Sequence, residues 1–501
     1  MHVTTGKSDS LLGKNANMKR RTMPPILIAG CVVGGWLFAG GCTGFQTAGE
    51  KAARHDAATV AAIYRPGGER PALPALTENS GLDEYLRFAM LSDPRVEAAY
   101  YEWLAAVERI TVARSWPDPK LTFQADIQKV VMSLMPGLML DIPGPGKLSA
   151  GAAVASEEST ARYYAFEKAV LQTAFDLKKA YYQLYFLEEK VRLEQSTLDL
   201  LTELEKLAES QNAVGKVTLH DVLRAQMEKE QMMTDIANLE DARGPLLAQM
   251  KAALGLRADQ AAPPVPTQFV STPLDLEAPD LFSVALARNP GLKAMEAEIR
   301  QADAGIRLAR KARIPDFSAG VEVDVKTAPY LVRPEAGVTL PIWRDKLAAE
   351  LADAQANKKV AQARLTAEQI ALAIEFADKT YAVRESQRNL ALLRDRLIPK
   401  ARQSLELAKS GYQTGSIDFF SLLDAERTLL GFEMAQVDAQ TRRELALAEL
   451  SLVILGLPPA TAPLPASSLS DLDLRESRYL YFDRLLQQNR TEFCSKPKDF
   501  A

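Results

Sequence analysis

Three cysteines and three histidines are all that the 501 residues contain. His2, His55 and His220 are too scattered to supply the convergent ligands that a metal centre needs. Cys31, Cys42 and Cys494 do not form a disulfide framework, so packing or assembly must hold the chain together. The formal charge is only -4, and without a basic stripe nucleic-acid binding is not expected. No glycine-rich phosphate loop, Ser-His-Asp set or paired catalytic carboxylates stand out. The chain therefore offers no catalytic residue, no cofactor site and no metal site, and it does not read as an enzyme. Two local absences say more. From Thr22 to Gly41 there is no charge, and from Lys147 to Glu209 the only helix-breaking residue is Gly151.

The uncharged run follows Lys19-Arg20-Arg21 and ends in Leu37-Phe38-Ala39-Gly40-Gly41-Cys42. A basic start, an apolar middle and small residues before a cysteine describe a secretory signal. The end is similar to a bacterial lipobox, in which Cys42 is lipidated and becomes the mature N-terminus; the leucine usual three places before the cysteine is Ala39 here. The alternative is an uncleaved membrane anchor, against which five glycines and two prolines in the segment count. On the lipobox reading Cys31 leaves with the signal and Cys494 stays alone in the tail.

Much of the chain is written twice. Val112-Ala113-Arg114 and Pro117-Asp118 lead into one alternating run, and Leu308-Ala309-Arg310 and Pro315-Asp316 into another. Gly215, Leu223 and Ala225 recur as Gly415, Leu423 and Ala425, and each copy ends Leu-Gly-Leu at 254–256 and 455–457. Such a duplication governs the architecture. Residues 1–41 are read as prefix and signal, 42–80 as a linker and 81–257 as the first repeat. Residues 258–277 are read as a second linker, 278–457 as the second repeat and 458–501 as a tail.

In the first alternating run Leu121, Phe123, Ala125 and Ile127 face away from Thr122, Gln124, Asp126 and Gln128. In the second, Phe317, Ala319, Val321, Val323 and Val325 oppose Ser318, Gly320, Glu322, Asp324 and Lys326. Period 2 with one apolar and one polar face means strands between two media. Partner strands are expected over 136–142 and 335–342. A soluble sheet packed on helices would show the same alternation, but the charges on the polar face and the export signal favour an outer-membrane barrel. Four strands cannot close, since even a filled barrel needs about eight, and open edges are not tolerated in lipid. Three copies would supply twelve.

Helices are expected near 82–92, 94–115, 279–288 and 291–312, and two long ones follow the strands. Lys147 to about Glu209 carries Leu177, Leu184, Val191 and Leu198 at heptad spacing, the mark of coiled-coil-like packing. At the α-helical rise it would reach roughly 95 Å, and its copy from Arg344 to about Tyr412, kinked at Pro399, roughly 105 Å. Each ends at a glycine turn, Ala213-Val214-Gly215-Lys216 and Gln413-Thr414-Gly415-Ser416. Thr218 with Asp221, and Ser416 with Asp418, then open helices returning to about Leu254 and Leu455.

These two repeats, their glycine tips and the strand-to-helix turns Leu140–Leu148 and Leu340–Leu347 resemble the TolC-like outer-membrane factor family. The Ile142-Pro143-Gly144-Pro145-Gly146-Lys147 turn is similar to that of its heavy-metal, CusC- and CzcC-like branch. The resemblance implies a mainly α fold with a transmembrane β part: a homotrimer with a twelve-stranded barrel on a long periplasmic α-helical barrel, lipid-anchored in the outer membrane. It implies a passive duct of a tripartite efflux system, working with a periplasmic adaptor (membrane fusion) protein and an inner-membrane resistance-nodulation-division or ABC pump. Metal ions or small toxic compounds are the favoured cargo; a type I secretion duct and a non-pore periplasmic adaptor or structural protein are the alternatives. By the same resemblance Val214, Gly215, Lys216, Thr414, Gly415 and Ser416 would meet the adaptor, and Tyr412 and Asp424 would gate the pore. An ordinary helix–helix contact is the other reading of Tyr412 and Asp424. A further acidic position of the family's gate is Ser421 here.

Overall fold

The computed structural model describes residues 45–127, 131–267, 269, 271 and 281–454. The signal segment with Cys42, the end of the 258–277 linker, the final Leu-Gly-Leu and the 458–501 tail lie outside them.

The first element, α1 (Ala48–Tyr64), occupies a stretch read from sequence as linker. The hydroxyl of Thr47 accepts the Glu50 backbone N–H and opens it, and Ala57, Val60 and Tyr64 bury one stripe. Helices α2 (Leu82–Ser92) and α3 (Pro94–Arg114) are separated at Asp93, whose carboxylate accepts the Arg95 N–H at 2.7 Å. Strands β1 (Lys120–Ile127) and β2 (Val131–Ile142) follow, then α4 (Lys147–Ala213) and α5 (Leu219–Ala253). With 67 residues and no interruption, α4 is about 100 Å long.

The second repeat restates this order with α6 (Leu281–Arg288), α7 (Pro290–Lys311), β3 (Asp316–Asp324) and β4 (Leu331–Thr339). Asn289 caps α7 ahead of Pro290, as Asp93 caps α3 ahead of Pro94. The second long helix is segmented: α8 (Arg344–Leu392), a π-helical turn (Leu393–Leu397) and α9 (Ile398–Thr414). Pro399 has no N–H to return to residue 395, and the wider turn just before it absorbs the lost bond. The return helix is α10 (Phe419–Ile454).

The four strands form one antiparallel sheet in the order β1-β2-β3-β4, so β1 and β4 are open edges. Its registers align Leu121, Leu138, Val321 and Pro334 in one row and Thr122, Gly137, Glu322 and Arg333 in the next. The apolar rows face outward: Leu121 and Phe123 are 65% and 68% exposed, while Glu322 and Asp324 are each 3% exposed. A sheet packed on a soluble core has this arrangement the other way round. The soluble-sheet alternative therefore falls. β4 runs earlier than the expected 335–342, because Pro334 pairs with Val321 on an edge strand that tolerates a missing donor.

Below the sheet α4 is the central helix, packed against α3, α5, α7 and α10. Its Leu177, Ala180, Leu184 and Leu187 are buried at the expected heptad spacing. Leu177 and Ala180 join a cluster in which the Trp103 and Phe166 rings stack at 5.9 Å beside Tyr64, Tyr100 and Tyr163. On α8 the inner positions Leu372 and Val383 are buried, whereas Val360, Ala363, Ala367, Ile370, Ile374, Ala377 and Tyr381 are all exposed. That is an apolar seam at alternating three- and four-residue spacing with nothing of its own chain to cover it.

Candidate functional site

Both hairpin tips are built by the same backbone device. Gly215 (φ 70) donates to the Asn212 carbonyl at 2.9 Å and Lys216 to Gln211 at 2.9 Å. Gly415 (φ 77) donates to Tyr412 at 3.2 Å and Ser416 to Gly411 at 2.8 Å. The six-to-one bond with a left-handed residue is a Schellman closure, which glycine enters without a Cβ penalty. A Cβ at either glycine would meet no atom within 4 Å, so only the backbone dihedral demands it.

The turns then start the return helices. Thr218 and Asp221 exchange side-chain-to-backbone bonds in a complete capping box. In the second tip Asp418 alone is the cap, accepting the Ser421 N–H at 2.9 Å. Ser416, expected to share that role, instead donates its hydroxyl to the Gly411 carbonyl at 3.1 Å and so completes the incoming helix. Val214, Gly215, Lys216, Thr414, Gly415 and Ser416 are all exposed.

The two tips meet. Leu204, Ala208, Val222 and Ala225 of the first hairpin and Leu405, Ala408, Tyr412, Phe419, Leu422 and Leu423 of the second share one apolar cluster. Two polar contacts cross the same seam. The Arg224 guanidinium lies 4.4 Å above the Phe420 ring, and Arg427 pairs with Glu228. Periodicity does not distinguish the three charged side chains, Arg224, Arg427 and Glu228, from solvated helix charges.

The two gate candidates are held differently. Tyr412 is 3% exposed, its ring 5.4 Å from Phe419, and its hydroxyl has no hydrogen-bond partner among the described residues. Burial pushes its pKa up, and the charge of Asp221 in the first hairpin adds to the shift. Asp424 is exposed on α10, so the two do not form one cluster within a single chain. Sequence reasoning missed Glu426, two residues on and 4% exposed, with Oε2 unpartnered. Burial is the largest influence on its raised pKa, against which Lys409 and the Thr197 hydroxyl act. Among the described residues no group of three or more His, Cys, Asp or Glu could hold a metal ion. No described helix is long and apolar enough to cross a membrane.

A family model described as outer membrane efflux protein matches residues 86–256 and 281–455, the two repeats. The cobalt-zinc-cadmium resistance protein CzcC of Cupriavidus metallidurans is 24% identical over 359 residues, 70% of this chain and 83% of that protein. The outer membrane protein OprJ of Pseudomonas aeruginosa is 30% identical over 209 residues, 39% of this chain and 43% of that one. Among solved structures, the outer membrane protein VceC of Vibrio cholerae superposes with a TM-score of 0.63 at 18% identity, covering 74% of this chain and 95% of VceC. CusC gives 0.64 at 17% identity, covering 77% and 98%. The fold is thus that of the TolC-like channels, mostly helical with a β part.

Proposed function

The chain belongs to the outer membrane efflux protein family, and from that premise we propose that three copies assemble into the exit duct of a tripartite efflux system. Each copy contributes four strands, and pooling three sets removes the open edges of β1 and β4 in a twelve-stranded barrel. The single observation that carries this is the inverted sheet, apolar side out and charges in. The uncovered seam on α8 supports it, because a neighbouring copy's helix is the natural cover for a heptad stripe. The duct is passive: a periplasmic adaptor and an inner-membrane pump of the resistance-nodulation-division or ABC type deliver the substrate.

Metal ions or other small toxic cations are the favoured cargo. CzcC is by name a metal-resistance protein. The inward sheet face carries Asp141, Glu322, Asp324 and Glu335 against Lys120 and Arg333, an acidic excess that a threefold ring multiplies and that favours cations. The adaptor meets Val214–Lys216 and Thr414–Ser416 at the tips; Tyr412 and Asp424 contribute to closing them; Cys42 carries the lipid.

The test is the purified full chain in lipid nanodiscs. Trimers that conduct ions, cations over anions, support the proposal; a monodisperse, non-conducting monomer refutes it. Acyl labelling that survives Cys42→Ser would remove the lipid assignment alone.

A further inference from the structure

The strand–helix junctions share one level of the molecule. Lys358 pairs with Asp303 at 2.8 Å, which fixes the antiparallel register of α7 and α8 and sets the end of α7 beside the start of α8. The Gly144–Lys147 turn packs on Ile314–Asp316, with the Lys311 side chain against Gly146. Gly151, in the first turns of α4, faces the Ala113 carbonyl at the end of α3.

On this level Arg310, Lys311, Arg313 and Arg344 are all exposed, and among the described residues none has an ion-pair partner. Most other cations of the junctions are occupied: Arg114 with Glu50, Lys120 with Asp141 and Lys147 with Asp316. The exposed acids of this level are Asp118, Asp345, Glu350 and Asp353; Glu350 pairs with Lys346 at 3.8 Å, Asp353 accepts from the Asn357 amide, and Asp345 lies in the first turn of α8, where the helix dipole favours it. Trp116 and Trp343 flank the set at 56% and 72% exposure. The apolar strand faces begin directly above, at Leu121, Phe317 and Val338. A chain with a net charge of -4 has thus gathered unpaired guanidinium and ammonium groups, with two amphipathic indoles, at one edge of its apolar band.

We propose that this belt is a binding surface for the anionic headgroups of phospholipids in the periplasm-facing leaflet. Indoles settle at the level of headgroups, and Lys or Arg near an anionic surface is drawn to it. The belt fixes the depth of the sheet: the tryptophans mark the interface and the cations hold the phosphates just below the strands. The inference rests on the membrane-embedded sheet proposed above.

The experiment is native mass spectrometry of the detergent-purified full chain titrated with phosphatidylglycerol and, separately, phosphatidylcholine. The wild type should retain phosphatidylglycerol at least about tenfold more strongly, a preference that weakens as salt is raised. The combination Arg310→Gln, Lys311→Gln, Arg313→Gln and Arg344→Gln should bring the two lipids level, while lysine at the three arginine positions should keep the preference. Equal retention of the two lipids by the wild type, or an unchanged preference in the glutamine variant, overturns the proposal. Should the glutamine variant not fold, the lipid preference of the wild type and its loss in salt still decide. Conductance of the same wild-type preparation reports separately on the channel: conduction without lipid preference sinks the belt and leaves the duct standing.

Discussion

Lys147, the first residue of α4, holds its ammonium 2.7 Å from the carboxylate of Asp316, the first residue of β3. The same carboxylate oxygen accepts the Gly144 N–H at 2.7 Å. One partner opens the long helix of the first repeat and the other opens the strand of the second. The pair therefore ties the two repeats where the sheet becomes helix. Asp316→Asn should cost about 1–3 kcal/mol, the range for losing a charge-assisted bond to a partly buried partner. Adding Lys147→Met should cost less than the sum of the two single changes. Thermal unfolding of the four proteins of this cycle measures both.

At the tips, Gly215→Asp or Gly415→Asp should abolish export while assembly persists. There is room for a side chain at both positions, and the left-handed backbone costs an aspartate only about 1 kcal/mol, so the fold survives. What changes is the charge and shape of the exposed turn. Cross-linking to the adaptor and efflux measured in cells check this; normal export by both variants would remove the tips from the adaptor interface.

Glu426 should make the tip more stable in acid. Its pKa in the folded protein is raised, chiefly by burial. The native state therefore binds the proton more tightly than the unfolded chain, and its stability falls as pH rises from the ordinary glutamate value through the raised one. Glu426→Gln removes the ionisation and should raise stability at pH 8 by roughly 1–3 kcal/mol, with the gain vanishing near pH 4. Melting temperatures of the two proteins at both pH values test the sign.

Glu50 should behave in the opposite way. Burial pushes its carboxyl up, but bonds from Arg114, Thr111 and Arg54 outweigh that and hold the pKa at about 2, against an ordinary 4.5. Its stabilisation is complete above 4.5 and disappears as pH falls from 4.5 to 2. Glu50→Gln leaves Arg114 without its buried partner and should loosen α1 at neutral pH by about 3–5 kcal/mol. Hydrogen exchange across residues 48–64 reads the effect directly.

The parts of the fold that sequence exposes are those set by periodicity and backbone constraint. The alternation around Leu121 and Phe317, the proline-free run after Lys147 and the glycines at 215 and 415 each dictate a local conformation whatever surrounds them. Helix α1 is poorly legible because its buried apolar stripe is short, Ala57, Val60 and Tyr64 on the side of the charged Glu50, although Thr47 three residues before Glu50 is a legible cap. The repeat pattern points to a later β4, with Val338, Leu340 and Ile342 on its apolar face, because an edge strand's tolerance of Pro334 leaves no mark in that alternation. The Arg224–Phe420 and Glu228–Arg427 contacts join residues about 200 apart, and only the packing of one hairpin on the other brings them together. Glu426 looked like any helix-surface acid until the tip cluster enclosed it.

The central claim is that one face of this sheet lies in lipid and the other lines water. Single cysteines at Leu121, Phe123, Phe317 and Val321, and at Thr122, Gln124 and Ser318, in a Cys494→Ser background reconstituted in bilayers, test it residue by residue. Fluorophores at the first set should be quenched by brominated lipid, and thiols at the second should react with a membrane-impermeant maleimide, in strict alternation along each strand. Equal water access on both faces would contradict the account.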